Sequence, residues 1–293
     1  MIHSLPLAQL CCLAPLLLTV LAQSGWTAEP ARPGGFEVET IKDVTYYDAD
    51  GTDTAKHKLD LFLPKGQKDY PVLFFVHGGA WQRGDKDQYL GLYGKLGKMF
   101  ASLGIGTVVI NYRLSPAVQH PEHIKDVARA FAWTHKNIVR YGGRADEIFV
   151  FGHSAGGHLV ALLATDNTYL KYVGLGVDAI KGVIGMSGVY RIPENIFPRV
   201  FGTDPARRKQ ASPIEHVHPG LPPFLLLYAD NDLPGCDKEP CDAFCKALKE
   251  KGNKVEEIEV KDSNHYLIIM SAPLPDEPVA KAILSFIKAN TAK

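Results

Sequence analysis

The 293-residue chain lacks most of the compositional extremes that would take it out of the ordinary globular class. It has no repeat at a fixed period, no low-complexity tract and no long run of like charge. Solenoid, fibrous and extended disordered architectures are thereby excluded. It has no net charge either: 32 Lys plus Arg balance 32 Asp plus Glu. Nothing draws it towards nucleic acid or an anionic membrane surface. What is there is 46% apolar and 22% charged, enough for one large α/β domain or two small ones. The reading that follows is a neutral protein handling small molecules.

Charge is also missing from the N-terminus, where no charged residue precedes Glu29. Residues 5–22 are largely apolar, centred on Leu16, Leu17, Leu18, Val20 and Leu21. We expect residues 1–28 to be a secretory signal, cleaved near Ala22 or Ala28, and the protein to be exported. The usual cation at the start is absent, and a retained membrane anchor is the alternative, since the run approaches the ~20 residues of a spanning helix. With the signal removed no stable membrane association is expected. Cys11 and Cys12 would leave with it, and Cys236, Cys241 and Cys245 would remain. In an oxidising compartment these three are expected to form one disulfide and leave one free thiol, with the pairing open. Cys-x4-Cys-x3-Cys matches no common zinc spacing, so no metal is expected.

The rest of the chain alternates. Strands are expected around Val38–Tyr47 and Lys58–Leu63, then as continuous apolar runs at Pro71–Val76, Thr107–Asn111, Ile148–Phe151, Gly182–Met186, Phe224–Tyr228 and Val255–Val260. Runs of this kind suit strands buried on both faces. Helical periodicity fills the intervals Gln88–Leu103, Ile124–Tyr141, Ala155–Ala164, Cys241–Lys251 and Pro278–Ala289. Such alternation implies right-handed βαβ units and a mostly parallel sheet covered by helices. Residues 188–222 break the rhythm and read as a small cap inserted in a catalytic domain of residues 29–293. The cap's cations, Arg191, Arg199, Arg207, Arg208 and Lys209, outnumber its acids. They read as a solvated basic face, with binding of an anionic substrate as the alternative.

Residues 148–157 read Ile-Phe-Val-Phe-Gly-His-Ser-Ala-Gly-Gly, a strand, a G-x-S-x-G turn and a helix start. That turn forces the serine hydroxyl above the sheet edge, and the helix N-terminus faces the charge that develops there. Ser154 is the candidate nucleophile. Upstream, Val76-His-Gly-Gly-Ala-Trp81 follows an apolar strand. The amides of Gly78 and Gly79, with that of Ala155, are the candidate oxyanion hole. His77 is expected to hold this loop, and Trp81 and Tyr190 to line the substrate pocket.

A serine needs a base and an orienting carboxylate, here in the chain order Ser, acid, His. Of the histidines after Ser154, His158 lies one helical turn on, and His216 and His218 fall in the cap. His265 follows the last strand in a polar turn and is the candidate base. Asp230 and Asp232 both follow Phe224–Tyr228. The later one is better placed to turn back to histidine, so Asp232 is the candidate acid and Asp230 a local cap of the turn or the next helix.

Together, His77-Gly-Gly-Ala-Trp81, Asn111-Tyr-Arg-Leu-Ser-Pro116, Gly152-His-Ser-Ala-Gly-Gly157, the acid loop and His265 make the chain resemble the hormone-sensitive-lipase-like carboxylesterases of the α/β-hydrolase superfamily. The resemblance runs from about residue 58 to the C-terminus. It implies an eight-stranded, mostly parallel sheet, no cofactor, and hydrolysis of short-chain acyl esters. His153 stands where those relatives carry Asp, and Ala229 where a glycine is common before the acid. Gly-His-Ser-Ala-Gly-Gly-His is closer to feruloyl-esterase-like enzymes and kynurenine formamidases. The functional expectation is a serine esterase acting on short-chain or carbohydrate-linked esters of acetyl or feruloyl type. The alternatives are an arylformamidase-like amide hydrolase and a non-catalytic binding protein on the same fold.

Overall fold

The computed structural model describes residues 35–49 and 52–291. The expected signal, residues 1–28 with Cys11 and Cys12, lies outside the described residues. Eight strands form one sheet: β1 (Val38–Thr45), β2 (Lys58–Pro64), β3 (Tyr70–Val76), β4 (Gly106–Ile110), β5 (Gly143–His153), β6 (Gly182–Met186), β7 (Phe224–Asn231) and β8 (Val255–Asn264). Their spatial order is β1-β2-β4-β3-β5-β6-β7-β8. The β1–β2 and β2–β4 pairs are antiparallel, and every pair from β4 onward is parallel.

Period-two alternation within the apolar runs sends side chains to two separate cores. Val72, Phe74 and Val76 of β3 pack on one face, with α2 (Glu122–Asn137), α3 (Ala155–Thr165) and α7 (Lys238–Glu250). Leu73 and Phe75 pack on the other, with α1 (Gln88–Ser102) and α9 (Pro278–Asn290). Helix α2 shows why the pattern folds this way: Ile124, Val127 and Phe131 form one fully buried stripe. A 3-10 turn over Ile138–Tyr141 follows and is closed by Gly142 at φ 93°, a left-handed stop that glycine adopts without a steric penalty.

Some boundaries differ from the sequence reading. β5 starts at Gly143, not Ile148, because Gly143 pairs with Tyr70 across a register shift. Gln88 to Ser102 is not one regular helix: Tyr89, Leu90 and Gly91 adopt left-handed φ of 54°, 54° and 75°. The short helices α4 (Asn167–Tyr172) and α8 (Leu267–Ser271) carry too few turns to announce themselves by periodicity. Between β6 and β7 the chain forms α5 (Pro198–Phe201), α6 (Pro205–Gln210) and a 3-10 turn over Pro213–His216.

Cys236, Cys241 and Cys245 are all buried, and none of them forms a disulfide among the described residues, which corrects the expected disulfide. Cys241 and Cys245 sit one turn apart on α7. At that spacing β-carbons lie about 5–6 Å apart, too far for the ~3.8 Å of a disulfide.

Candidate active site

Five neighbouring strands deliver the site at their C-terminal ends, where parallel sheets place ligands. β3 leads into Gly78, β5 into Ser154, β6 into Ser187, β7 into Asp232 and β8 into His265. Ser154 has φ 56° and ψ −120°, a conformation that costs a non-glycine residue of order 1–3 kcal/mol. Surrounding backbone enforces it. A β-carbon at Gly152 would run into the Gly156 carbonyl, and one at Gly156 into the Val76 carbonyl. The elbow is therefore pressed against the end of β3, and the Ser154 amide donates to the Met186 carbonyl at 2.9 Å.

The structure brings Ser154, His265 and Asp232 together. The Ser154 hydroxyl lies 3.0 Å from His265 Nε2, and His265 Nδ1 lies 2.6 Å from Asp232 Oδ1. With a carboxylate on one side and a hydroxyl on the other, the neutral ring carries its proton on Nδ1 and accepts from Ser154 through Nε2. Asp232 Oδ1 also accepts from the Leu233 amide at 2.8 Å. Asp232 Oδ2 accepts from the Ala229 amide at 3.0 Å and the Ser187 hydroxyl at 2.6 Å. Burial works to raise the Asp232 carboxyl, but the bonds from His265, Ser187 and Ala229 outweigh it and hold the group below the ordinary carboxylate value. Ser187 was missed by sequence reasoning. Its one signal was its place immediately after a central apolar strand.

Asp230 does not cap a local turn, as expected, but reaches across to the histidine strand. Its carboxylate accepts from the amides of Asp262 at 2.8 Å and Ser263 at 2.9 Å. A register shift between Ala229 and Asn231 sends Asp230 and Asp232 in different directions. Asn264 Oδ1 then takes the amides of Tyr266 and Leu267, so the turn bearing His265 is tied on both flanks.

The Gly78–Gly79 loop is held from beneath. His77 is fully buried, donates Nδ1–H to the Gly78 carbonyl at 2.7 Å and stacks on Tyr112 at 4.5 Å. Burial lowers its pKa to about 4, so it stays neutral. A β-carbon on Gly78 would lie 3.0 Å from Ser154 Cβ, which puts this backbone beside the nucleophile. Ala155 opens α3, so its amide has no partner within the helix.

The cleft above these groups encloses about 730 Å³ and is mainly apolar. Trp81, Tyr89, Leu90 and Tyr93 form one part, Val189, Pro193, Ile196 and Phe197 another, and Leu233, Pro234 and Cys236 a third. Trp81 lines it as expected, and is fixed by donating to His158 Nδ1 at 3.1 Å. His158 Nε2–H in turn donates to the Ala211 carbonyl at 2.7 Å, joining α3 to segment 188–222. Tyr190 does not line the cleft. It is buried against Phe244, ring centroids 4.4 Å apart, because its side chain points under β6 and β7 where Gly185 and Gly188 leave room. None of the segment's five cations lines the cleft. Arg208 is buried on the carbonyls of Pro193, Ile196 and Gly202, while Arg191 and Lys209 pair with Glu215. Among the described residues no cluster of His, Cys, Asp and Glu could hold a metal ion.

By strand order and by the place of these groups along it, the chain has the α/β-hydrolase fold. The sequence model of the BD-FAE family matches residues 59–188. The chain is 33% identical over 235 residues to the esterase LipQ of Mycobacterium tuberculosis, covering 74% of this chain and 55% of that protein. It spans about half the length of the mycobacterial esterases it matches. It is 26% identical to the kynurenine formamidase of Danio rerio, covering 85% of this chain and 82% of that enzyme. A truncated carbohydrate esterase from gut microbiota superposes with a TM-score of 0.74 at 22% identity, covering 90% of this chain and 99% of the other. Esterase B of Lactobacillus rhamnosis superposes at 0.72 and 20%, covering 96% and 94%.

Proposed function

We propose that the protein is a serine carboxylic-ester hydrolase working through an acyl-enzyme on Ser154. The observation that carries the reading is the unbroken chain Ser154–His265–Asp232 at 3.0 and 2.6 Å on a strained elbow. His265 Nε2 takes the hydroxyl proton as Ser154 Oγ attacks the acyl carbon. The amides of Gly78, Gly79 and Ala155 stabilise the resulting oxyanion, each worth on the order of 10²–10³ in rate. Collapse breaks the ester C–O bond, and the alkoxide leaves with the proton held on His265. Water then attacks the acyl-enzyme with His265 again as base, releasing the acid and free Ser154. Asp232 keeps Nδ1–H pointed away from the serine and balances the imidazolium.

Substrates of acetyl and feruloyl type on carbohydrate alcohols fit the reading. The likeness to the gut carbohydrate esterase supports the saccharide side, and a mainly apolar cleft of about 730 Å³ supports an aromatic acyl group. A panel of nitrophenyl acetate, butyrate and longer esters, methyl ferulate and acetylated xylo-oligosaccharides tests it. Ester turnover abolished by Ser154→Ala is expected, and an inactive wild type on the whole panel would overturn it. The second reading, amide cleavage on an arylformamide, is favoured by the similarity along most of the Danio rerio formamidase. Turnover of N-formylkynurenine well above that of every ester would select it.

A further inference from the structure

The residue before the nucleophile contacts more of the machinery than its place in the motif requires. His153 ends β5, is 5% exposed, and lies with Nε2 2.9 Å from the backbone carbonyl of His265. A carbonyl only accepts, so Nε2 carries the proton and donates. The two imidazoles pack with centroids 4.8 Å apart, inclined at 43°. On its other edge the ring faces the oxyanion loop: a β-carbon on Gly78 would lie 3.2 Å from His153 Nδ1 and 2.9 Å from the His153 carbonyl oxygen. One side chain thus touches the base's residue and the oxyanion loop while being covalently next to Ser154.

We propose that His153 is a positioning residue, whose Nε2–H holds the His265 peptide and so sets the imidazole of His265 against Ser154 Oγ. The proposal rests on the reading of Ser154, His265 and Asp232 as a hydrolytic triad. Asp230 and Asn264 fasten the histidine turn through the amides of Asp262, Ser263, Tyr266 and Leu267. Those bonds tie the turn to β7 and to itself. His153 ties it to the elbow, the element the base must meet. A displacement of about 1 Å at the reacting groups costs on the order of 10² in rate, so one bond at this carbonyl has leverage on kcat. The donor must also be uncharged, since a second cation would oppose the imidazolium that His265 becomes. Burial, and then the neighbouring His265, lower the His153 pKa to about 3.

Glutamine carries an amide N–H the same number of bonds from the backbone as His Nε2, whereas methionine fills similar space with no donor. The test compares wild type, His153→Gln and His153→Met for kcat and KM on nitrophenyl butyrate, for labelling of Ser154 by a fluorophosphonate, and for melting temperature. We expect His153→Gln to stay within about threefold of wild type, and His153→Met to lose roughly 10- to 100-fold in kcat with KM little changed. Labelling should slow in parallel with kcat. Should His153→Met not fold, His153→Leu, which also lacks a donor, takes its place with the same expectation. Wild-type kcat in the folded donor-less variant, or equal losses in it and in His153→Gln, would overturn the positioning role while the triad stands. A wild type whose Ser154 takes no label overturns the triad reading, and the proposal with it.

Discussion

Mild acid should unfold this protein, and the reason lies in its buried histidines. Burial is the largest cause that lowers His77, His123 and His158 to about 4, and His120 and His153 to about 3, from the ordinary 6.5. In the folded state these rings stay neutral well below pH 6. In the unfolded chain each takes a proton as the pH passes 6.5. Unfolding therefore binds protons, and stability present above pH 6.5 is lost as the pH falls towards 4. At pH 5 each ring contributes about 2 kcal/mol of this loss. Together they approach the whole ~5–15 kcal/mol stability of a typical domain. The carboxyls of Asp126 and Asp232 are held low, so their contribution goes only at still lower pH. Urea unfolding at pH 7.5, 6.5 and 5.5 at constant ionic strength checks this. The unfolding free energy should drop by several kcal/mol over that span. His158→Gln, which keeps a donor for the Ala211 carbonyl but cannot take the proton, should show a shallower drop. Equal stability at pH 7.5 and 5.5 would refute the reasoning.

Other consequences concern the site. Ser187→Ala removes one of the two donors on Asp232 Oδ2. A hydrogen bond to a charged group is worth about 1.5–3 kcal/mol, so steady-state kinetics should show kcat about 10- to 100-fold lower with KM little changed. Asp232→Asn should cost about 10⁴-fold in kcat, because the amide no longer selects the Nδ1–H tautomer. Asp230→Asn keeps one acceptor for the Asp262 and Ser263 amides and should retain most activity; the reverse order in the same assay would exchange their roles. Gly156→Ala drives a β-carbon into the Val76 carbonyl and should lower both melting temperature and kcat, whereas an unperturbed variant would show that the elbow is not pressed on β3. Arg208→Ala strips donors from three backbone carbonyls, and limited proteolysis should then cut within residues 193–202 first.

The fold was legible where burial on both faces leaves an unmistakable trace. The runs at Pro71–Val76 and Gly182–Met186 could be little else than central parallel strands, and the turn after Ile148–Phe151 declared its geometry through Gly152 and Gly156. The meeting of Ser154, Asp232 and His265 was legible for a related reason: a sheet with known strand polarity delivers its loops in a fixed order. Features set by side-chain direction were not. Tyr190 follows Ser154 and β6 in the chain as a pocket residue would, yet its ring turns beneath the sheet onto Phe244. Asp230 and Asp232 are alike in sequence, and only the register shift beside them gives one to the histidine ring and the other to the histidine backbone. One of the five cap cations departed in the same way, while the other four are exposed as read. Arg208 looks solvated in sequence, but its guanidinium is consumed by backbone carbonyls.

The account stands or falls on covalent chemistry at Ser154. Nitrophenyl butyrate mixed with excess enzyme, quenched in acid within milliseconds and digested for mass spectrometry, reads that chemistry directly. We predict a butyryl group on the peptide containing Gly152–Gly157, localised to Ser154, formed in step with nitrophenol release and absent in Ser154→Ala. Nitrophenol release with no acyl group on Ser154, or undiminished release by Ser154→Ala, would contradict it.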